Sequence, residues 1–337
     1  MFTKLYAQVK KILKENSIGL FIFFTVFLIS CIPLPYYIDT PGGAIDIAKK
    51  IQLESSYKSK GSLNFAYVSE LRATPVTYLL ALFQKDWEIL KKEEIKYDNE
   101  TIAEMEFRDH KLLEESYDNA ILVAYKALEK KVNIKKTDLY ITYIDEEAHT
   151  DLEIGDTIIE MDGEKVLNKS ELLKKIRSKQ KGDIVTFKVL NKGKEYNRKA
   201  TIIEVENISL VGAMVTSDKD LETSPPIKIT SEKTESGPSG GLMLSLAIYN
   251  SLTKEDITRG RKIVGTGTIE EDGTVGPIGG VAFKLKGAIK EKADLFLVPA
   301  GDNYKEAMQL KKENHYQIQI KAISTFEEAL QYLKNTH

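Results

Sequence analysis

The segment 234-TESGPSGGLMLSLAIYN-250 places a hydroxyl where a nucleophile could act. Three glycines and a proline surround Ser239, and an apolar run of helical character begins directly after it. The glycines would let a substrate backbone approach, and free N–H groups at Ser239 and Gly240 would face a developing oxyanion. A glycine-rich turn that leads into a buried helix is the ordinary interpretation, and this segment alone favours it. Other parts of the chain must therefore decide whether Ser239 is a nucleophile.

A second residue that could do chemistry is Lys284, in 281-VAFKLKGAIKEK-292. A helical wheel at about 100° per residue places it on the apolar side with Leu285, whereas Lys286 and Lys290 fall on the opposite side. Burial disfavours the charged ammonium and lowers the pKa of a lysine, and a neutral amine can act as a general base. The alternative is that the Lys284 side chain extends past the apolar stripe to water.

The two residues together are the parts of a serine–lysine dyad. In such a dyad the Ser239 hydroxyl attacks a peptide carbonyl, while Lys284 takes its proton and later returns it to the leaving amine. This chemistry needs no histidine, which suits a chain with none between His149 and His315. The pair therefore predicts hydrolysis of peptide bonds.

The composition argues against several other classes of function. The chain has 337 residues, with 48 basic and 50 acidic side chains and a net charge of −2, so nothing indicates a nucleic-acid partner. Its one cysteine, Cys31, lies in the most apolar stretch, which predicts neither a disulfide framework nor a catalytic thiol. The histidines show no metal-ligand spacing and no phosphate-binding G-x-x-x-x-G-K-[ST] occurs, so we expect no metal, no other cofactor and no ATP.

Residues 17–38, SIGLFIFFTVFLISCIPLPYYI, carry no charge and are predicted to form a single transmembrane anchor. Lysines precede this run and Asp39 is the first charge after it, which places residues 1–16 in the cytoplasm and the rest outside. Two alternatives stay open. The stretch 28-LISC-31 resembles a lipoprotein box that would make Cys31 a lipidated amino terminus, or the segment is a cleaved signal peptide. All three interpretations place the body of the chain outside the cytoplasm.

The body that follows combines helical and extended patterns. Residues 97–131 are charged, free of glycine and prone to form a helix. From 139-LYITYI-144 the hydrophobic period changes to two, which indicates a half-buried strand. Beyond Pro226 the sequence predicts a strand, a glycine turn, a helix, a strand with a hairpin over 263–280, and a second helix. These last elements must position the dyad.

The stretch 152-LEIGDTIIEMDGEKV-166, a following helix and K-G-D-x-V resemble the PDZ domains of bacterial proteases, over residues 115–206. In that family a loop before the first strand captures a peptide carboxylate, and a strand edge pairs with the peptide. The peptide contacts that this resemblance implies are Leu139, Tyr140 and Ile141. Asp138 stands where the family loop usually has a glycine, so a PDZ fold used as a spacer or gate stays the alternative.

The motifs G-P-S-G-G, T-G-T-I and G-P-I-G-G-x-x-x-K resemble the proteolytic domain of the Lon family. The plan of anchor, PDZ domain and terminal Lon-type domain resembles the membrane-anchored, ATP-independent Lon-like serine proteases of Gram-positive bacteria. The resemblance implies Ser239 as the nucleophile and Lys284 as the base, with a threonine near the lysine amine. The supporting residues are Thr266, Gly240 and Gly237. The chain departs from the family where Gly240 replaces a more frequent alanine and Ser236 replaces an acidic residue of many cytoplasmic members.

These resemblances imply the fold class α+β to α/β, with one amino-terminal transmembrane helix and a β-rich PDZ domain ahead of a Lon-type α/β domain. The predicted parts are a cytoplasmic segment (1–16), an anchor (17–38), a segment that packs with the protease domain (39–114), a PDZ domain (115–206) and a Lon-type proteolytic domain (207–337).

The predicted function is that of a membrane-anchored, extracytoplasmic serine endopeptidase that needs neither ATP nor a cofactor. Its expected partners are the membrane and a peptide or protein substrate, either a secreted peptide or an exported protein. Some relatives with this plan process secreted signalling peptides, which makes a peptide pheromone one candidate. The alternative is a non-catalytic, membrane-tethered PDZ adaptor, which would have no reason to keep both an exposed Ser239 and an inward Lys284.

Overall fold

The computed structural model describes Tyr6, Lys10 and residues 13–336. Most of the predicted cytoplasmic segment, residues 1–16, therefore lies outside the described residues. The described chain divides into two compact units. The first comprises the described residues up to Pro41 together with Ser69–Ile95, and the second comprises the remainder.

The helices and strands below are numbered along the described chain. The helices are α1 (Ser17–Ser30), α2 (Pro75–Ala81), α3 (Ile102–Ala127), α4 (Lys169–Arg177), α5 (Gly241–Leu252), α6 (Val281–Lys290), α7 (Asp302–Glu313) and α8 (Phe326–Asn335). The strands are β1 (Tyr36–Asp46), β2 (Ile51–Leu53), β3 (Ser62–Arg72), β4 (Glu88–Lys91), β5 (Lys131–Ile144), β6 (Thr157–Met161), β7 (Glu164–Lys165), β8 (Ile184–Asn191), β9 (Lys194–Thr201), β10 (Ile203–Val205), β11 (Ile208–Leu210), β12 (Ala213–Ser224), β13 (Ile227–Ile229), β14 (Lys262–Gly265), β15 (Leu295–Pro299) and β16 (Gln319–Ile323).

The helix of the predicted transmembrane anchor, residues 17–38, covers only part of that span in the structure. Helix α1 ends at Ser30 after 14 residues, a length of about 21 Å, whereas the hydrocarbon of a bilayer is roughly 30 Å thick. Pro33 and Pro35 cannot continue the helix, and the chain from Tyr36 onward is strand β1 instead. Among the described residues, no helix combines the length and the hydropathy that a membrane crossing needs.

The first unit forms around two short antiparallel strands. Residues 36–39 of β1 pair with residues 88–91 of β4. Helix α2 begins at a capping box in which Thr74 and Thr77 bond each other's backbone N–H, and Pro75 suits the first helical turn. A small apolar core lies between the helix and the strands. Its buried members are Ile38, Ala73 and Ala81.

The second unit contains a parallel sheet that is covered on both faces. Strands β16, β15, β14 and the first residues of β3 lie side by side in that order, all parallel. Alternate residues of β15 enter two different cores: Leu295 and Leu297 pack with α3, α5 and α8, whereas Phe296 and Val298 pack with α6 and α7. The helix that follows Ser239 and the helix that carries Lys284 therefore lie on opposite faces of one sheet.

A second, antiparallel sheet of this unit has the strand order β12-β5-β6-β8-β9, with β7 paired to β6 and α4 packed against it. The predicted turn glycines Gly155 and Gly163 adopt φ of +90° and +80°. Asn168 caps α4, since its side-chain oxygen accepts the Glu171 N–H at 2.8 Å. Strand β12 also belongs to this sheet, although it lies after residue 206, where the predicted PDZ domain ends.

Helix α3 connects the two sheets of the second unit. It begins at a capping box between Thr101 and Glu104, and it packs against α5 of the parallel sheet and against β5 and β12 of the antiparallel sheet. The helix-prone segment 97–131 contains it, as predicted. A single rigid helix thus contacts both sheets.

Candidate active site

Ser239 lies in a tight turn at the start of α5. Gly237 adopts φ +78°, a backbone conformation that side chains rarely tolerate, and the Pro238 carbonyl accepts the Gly241 N–H at 3.2 Å. Gly240 is the N-cap of α5 and supplies no side-chain hydrogen bond there. Within the described residues, neither the Ser239 N–H nor the Gly240 N–H has a protein acceptor. The turn therefore presents two unused donors next to the Ser239 side chain, as an oxyanion site requires.

The end of strand β14 holds this turn in place. The Thr266 hydroxyl donates to the Ser239 carbonyl oxygen at 3.1 Å, and the Gly267 N–H donates to the same oxygen at 2.8 Å. Thr266 is fully buried, and its own N–H donates to the Leu297 carbonyl of β15 at 3.0 Å. The resemblance implied that Thr266 orients the lysine amine. In the structure its hydroxyl instead binds the Ser239 carbonyl, so Thr266 supports the nucleophile turn.

Lys284 points into the apolar layer between α6 and the sheet, as the helical wheel predicts. Lys284 is 5% exposed, whereas Lys290 lies exposed on the opposite side of α6. Burial lowers the pKa of the Lys284 amine from 10.5 to about 8, and no charged neighbour contributes to that shift. In the part of the chain that is described, its amine forms no ion pair. Lys284 can therefore reach its neutral form near physiological pH.

The elements that carry Ser239 and Lys284 contact β14 or the residues directly after it, from opposite faces of the sheet. The Ser239 turn is bonded to the residues directly after β14, and Lys284 lies in the first turn of α6, which packs against the same strand. Between described residues, neither the Ser239 hydroxyl nor the Lys284 amine forms a hydrogen bond. Catalytic hydrogen bonds are often long in a protein without substrate. The structure thus places the elements of Ser239 and Lys284 beside one strand, with no hydrogen bond between the two side chains among the described residues.

Helix α3 lies behind the nucleophile turn, which no sequence spacing indicated. The Asp109 carbonyl accepts the Gly237 N–H at 3.0 Å, and the Ser116 hydroxyl donates to the Pro238 carbonyl at 3.1 Å. Ser116 and Pro238 are 122 positions apart, so no local pattern could pair them. The only available signal was a polar Ser116 on the buried face of a predicted helix.

An ion pair borders the turn on its amino-terminal side. Lys50 pairs with Glu235, and the Tyr117 hydroxyl of α3 donates to the same carboxylate at 3.3 Å. Burial, and then the nearby Glu235 charge, raise the pKa of Tyr117, so this hydroxyl keeps its proton. The Glu235 carboxylate is therefore occupied by Lys50 and Tyr117. It does not take the place of the acidic residue that many cytoplasmic Lon proteins have at the position of Ser236. The described residues include no group of three or more His, Cys, Asp or Glu placed to hold a metal ion.

The strand edge that was predicted to pair with a peptide is not free. Leu139, Tyr140 and Ile141 of β5 pair with β12 on one side. On the other side Leu139 and Tyr140 pair with β6, and the Ile141 N–H donates to the Asp156 carbonyl at 2.8 Å. The prediction of peptide contacts at these three residues is therefore wrong, because both edges of β5 are used within the sheet. The edge strands of this sheet are β12 and β9.

Two parts of the chain match known domain families. Residues 230–335 match the Lon protease (S16) C-terminal proteolytic domain, and residues 119–202 match the PDZ domain. The chain therefore carries a PDZ domain and a Lon-type proteolytic domain, which confirms both resemblances. This combination is consistent with a PDZ-containing Lon-like protease.

Solved structures of single PDZ domains are similar to part of the chain. The PDZ domain of the SdrC-like protein of Listeria innocua is 24% identical, over 23% of this chain and 92% of that one, with a TM-score of 0.22. The PDZ domain of the SdrC-like protein of Listeria monocytogenes is 21% identical, over 25% of this chain and 92% of that one, with a TM-score of 0.23. Among curated proteins, none matches this chain.

The two glycines after Ser239 should respond differently to alanine. At Gly240 a methyl group would meet the Phe65 ring at 3.6 to 3.8 Å, an ordinary contact, so Gly240→Ala should cleave a short peptide within about twofold of the wild-type rate. At Gly241 it would lie 2.6 Å from both Ser116 Oγ and Ile269 Cγ2, so Gly241→Ala should lower the rate roughly tenfold or more. Cleavage of an internally quenched peptide, with circular dichroism to confirm folding, measures both. Equal rates for the two variants would contradict this packing.

Proposed function

We propose that the chain is a serine endopeptidase in which Ser239 is the nucleophile and Lys284 is the general base. The observation that carries the proposal is the buried Lys284 amine, which is 5% exposed and whose pKa burial lowers to about 8. The Lon-type proteolytic domain supports serine protease activity. The unused N–H groups of Ser239 and Gly240 support acyl transfer in particular, since they suit an oxyanion.

The proposed reaction begins when the neutral Lys284 amine accepts the proton of Ser239 Oγ as that oxygen attacks the carbonyl carbon of a peptide bond. The Oγ–C bond forms, and the carbonyl electron pair moves to the carbonyl oxygen, where the Ser239 and Gly240 N–H groups bind it. Collapse of this intermediate breaks the C–N bond, and the Lys284 ammonium gives its proton to the departing amine. Water then attacks the acyl-enzyme, Lys284 accepts the proton of that water, and the same proton returns to Ser239 Oγ as the acid product leaves.

The environment of Lys284 suits a base better than a structural cation. An acidic partner would hold the amine protonated, and full exposure would leave its pKa near 10.4. Burial without such a partner avoids both outcomes. We also propose that activity does not depend on ATP, which is supported by the lack of a phosphate-binding motif in the sequence.

For the substrate and the location, we infer that the catalytic body lies outside the cytoplasm at the membrane and cuts secreted peptides or exported proteins. A peptide pheromone is one candidate. Protease and PDZ domains imply peptide or protein substrates in general.

The location is supported by helix α1, which has no buried residue and no charged side chain, so it exposes an apolar surface on all sides. Such a helix is stable where lipid covers it.

Substitution of Lys284 tests the dyad. Lys284→Ala and Lys284→Arg should each lower peptide cleavage by roughly three orders of magnitude, because neither side chain can accept the serine proton. Lys290→Ala is the matched control, since that lysine is exposed on the same helix, and it should keep wild-type activity. Ser239→Ala supplies the blank. Near wild-type turnover by Lys284→Arg would remove Lys284 as the base, and a wild-type protein no more active than Ser239→Ala would identify the non-catalytic adaptor.

The pH dependence of cleavage follows from the state of Lys284. The base is the deprotonated amine, and the lowered pKa of about 8 puts its titration between pH 7 and 9. The deprotonated fraction should rise about tenfold over that range, so kcat/KM should rise about tenfold and then level off. Initial rates on a peptide without titratable side chains, measured from pH 6 to 10, give the profile. A flat profile, or one that falls over this range, would contradict Lys284 as the base.

Cell fractionation tests the location. A carboxyl-terminal alkaline phosphatase fusion should be active, because that reporter functions only outside the cytoplasm. Phe24→Asp should move the chain from the membrane fraction to the soluble fraction, since it places a charge on the apolar surface of α1. Cys31→Ser should leave the protein at the membrane. Release by Cys31→Ser would instead establish lipidation, and an inactive fusion would contradict an extracytoplasmic body.

A further inference from the structure

Helix α3 of the same chain covers the β12 edge of the antiparallel sheet. The Ser217 N–H of edge strand β12 donates to Glu115 Oε1 at 2.9 Å, and the Lys219 N–H donates to Asp118 Oδ2 at 2.8 Å. Residues two apart on a strand present their N–H groups to the same edge, and residues three apart on a helix share one face. The two α3 carboxylates therefore stand where the carbonyl groups of an added peptide strand would bind.

Further hydrogen bonds hold the Glu115 carboxylate at β12. Glu115 also accepts the Ser217 hydroxyl at 2.7 Å, and Lys169 at the start of α4 donates to both of its carboxylate oxygens, at 3.0 and 3.1 Å. Glu115 is 8% exposed, Ser217 1% and Lys219 7%. A peptide strand that paired with β12 here would have to expel a buried carboxylate and leave the Lys169 amine without it.

The next residue along α3 faces the catalytic turn. Ser116 is 4% exposed, and its hydroxyl donates to the carbonyl of Pro238, the residue before the nucleophile. About two helical turns earlier, the Asp109 carbonyl accepts the N–H of Gly237. Because consecutive residues of one rigid helix bind the PDZ edge and the nucleophile turn, a displacement of either contact moves the other.

We propose that α3 takes the place of a bound peptide on β12, so that the PDZ domain is a fixed support for the Ser239 turn. Glu115, Asp118 and Ser116 are then positioning residues for the proteolytic reaction. This inference rests on the proposed function. It predicts that β12 does not bind substrate at Ser217 and Lys219. It also predicts that loss of the contacts between α3 and β12 slows the chemical step, even for substrates too short to reach β12.

The test uses the full chain and four variants. Glu115→Ala removes the contact, Glu115→Gln keeps an acceptor for the Ser217 N–H, and Ser116→Ala removes only the hydroxyl under Pro238. Asp220→Ala is the matched control, because this residue of β12 is exposed and forms no hydrogen bond to α3 in the described structure. Two quantities are measured: kcat and KM on a short unstructured peptide, and amide hydrogen exchange of residues 236–241. The exchange is followed in a Ser239→Ala background, so that it does not depend on activity.

Glu115→Ala and Ser116→Ala should each speed exchange in 236–241 and lower kcat, both by about tenfold, with KM unchanged. Glu115→Gln should recover most of both effects, and Asp220→Ala should show neither. If Glu115→Ala misfolds, Ser116→Ala and Glu115→Gln still decide the question. Unchanged exchange and kcat in an active enzyme, or a loss seen only in KM for long substrates, would overturn the support role. A wild-type protein no more active than Ser239→Ala would refute the proposed function, while the exchange data would still test the support.

Discussion

The Ser239 carbonyl oxygen accepts one hydrogen bond from the Thr266 hydroxyl and another from the Gly267 N–H, and these bonds attach the nucleophile turn to the parallel sheet. Two N–H groups of the same turn, those of Ser239 and Gly240, have no acceptor among the described residues. The attachment constrains the residues around it. Gly267 has φ +152°, and a methyl group there would lie 2.9 Å from Val275, so the strand end has no room for a side chain. The start of α5, the end of β14 and the loop that follows β14 therefore pack closely against one another.

On the other face of the same sheet, burial of the Lys284 amine lowers the stability of the folded state. Moving the Lys284 pKa from 10.5 to about 8 corresponds to roughly 3 kcal/mol against the charged form. Because the folded state binds this proton less readily than the unfolded state, the loss of stability develops as pH falls from about 10.5 towards 8 and is constant below that. A lysine placed only for stability would be expected to reach water or an acid, and Lys284 does neither. The active-site chemistry and the stability of this core therefore oppose each other.

Much of the site was predictable from local patterns, because helical period and glycine content are local properties. The inward side of Lys284 and the turn at Ser239 followed from them. The failures concern tertiary pairing. The transmembrane anchor is predicted over residues 17–38, but the last three of these residues pair with β4 after two prolines. The hairpin predicted over 263–280 is one short strand followed by a loop. The edge of β5 was misjudged because its neighbour, β12, lies some 75 positions later in the chain.

The placement of the Ser239 and Lys284 helices on opposite faces of a parallel sheet has a consequence for the timing of the proposed activity. Strands β3 and β14 are neighbours although the whole antiparallel sheet lies between them in sequence. Contacts of such long separation form late, since loop-closure entropy must be overcome before they are rewarded. Neither the serine turn nor the lysine helix has its final surroundings until that pairing is complete. On the proposed function, a newly made chain would begin proteolysis only after that pairing is complete.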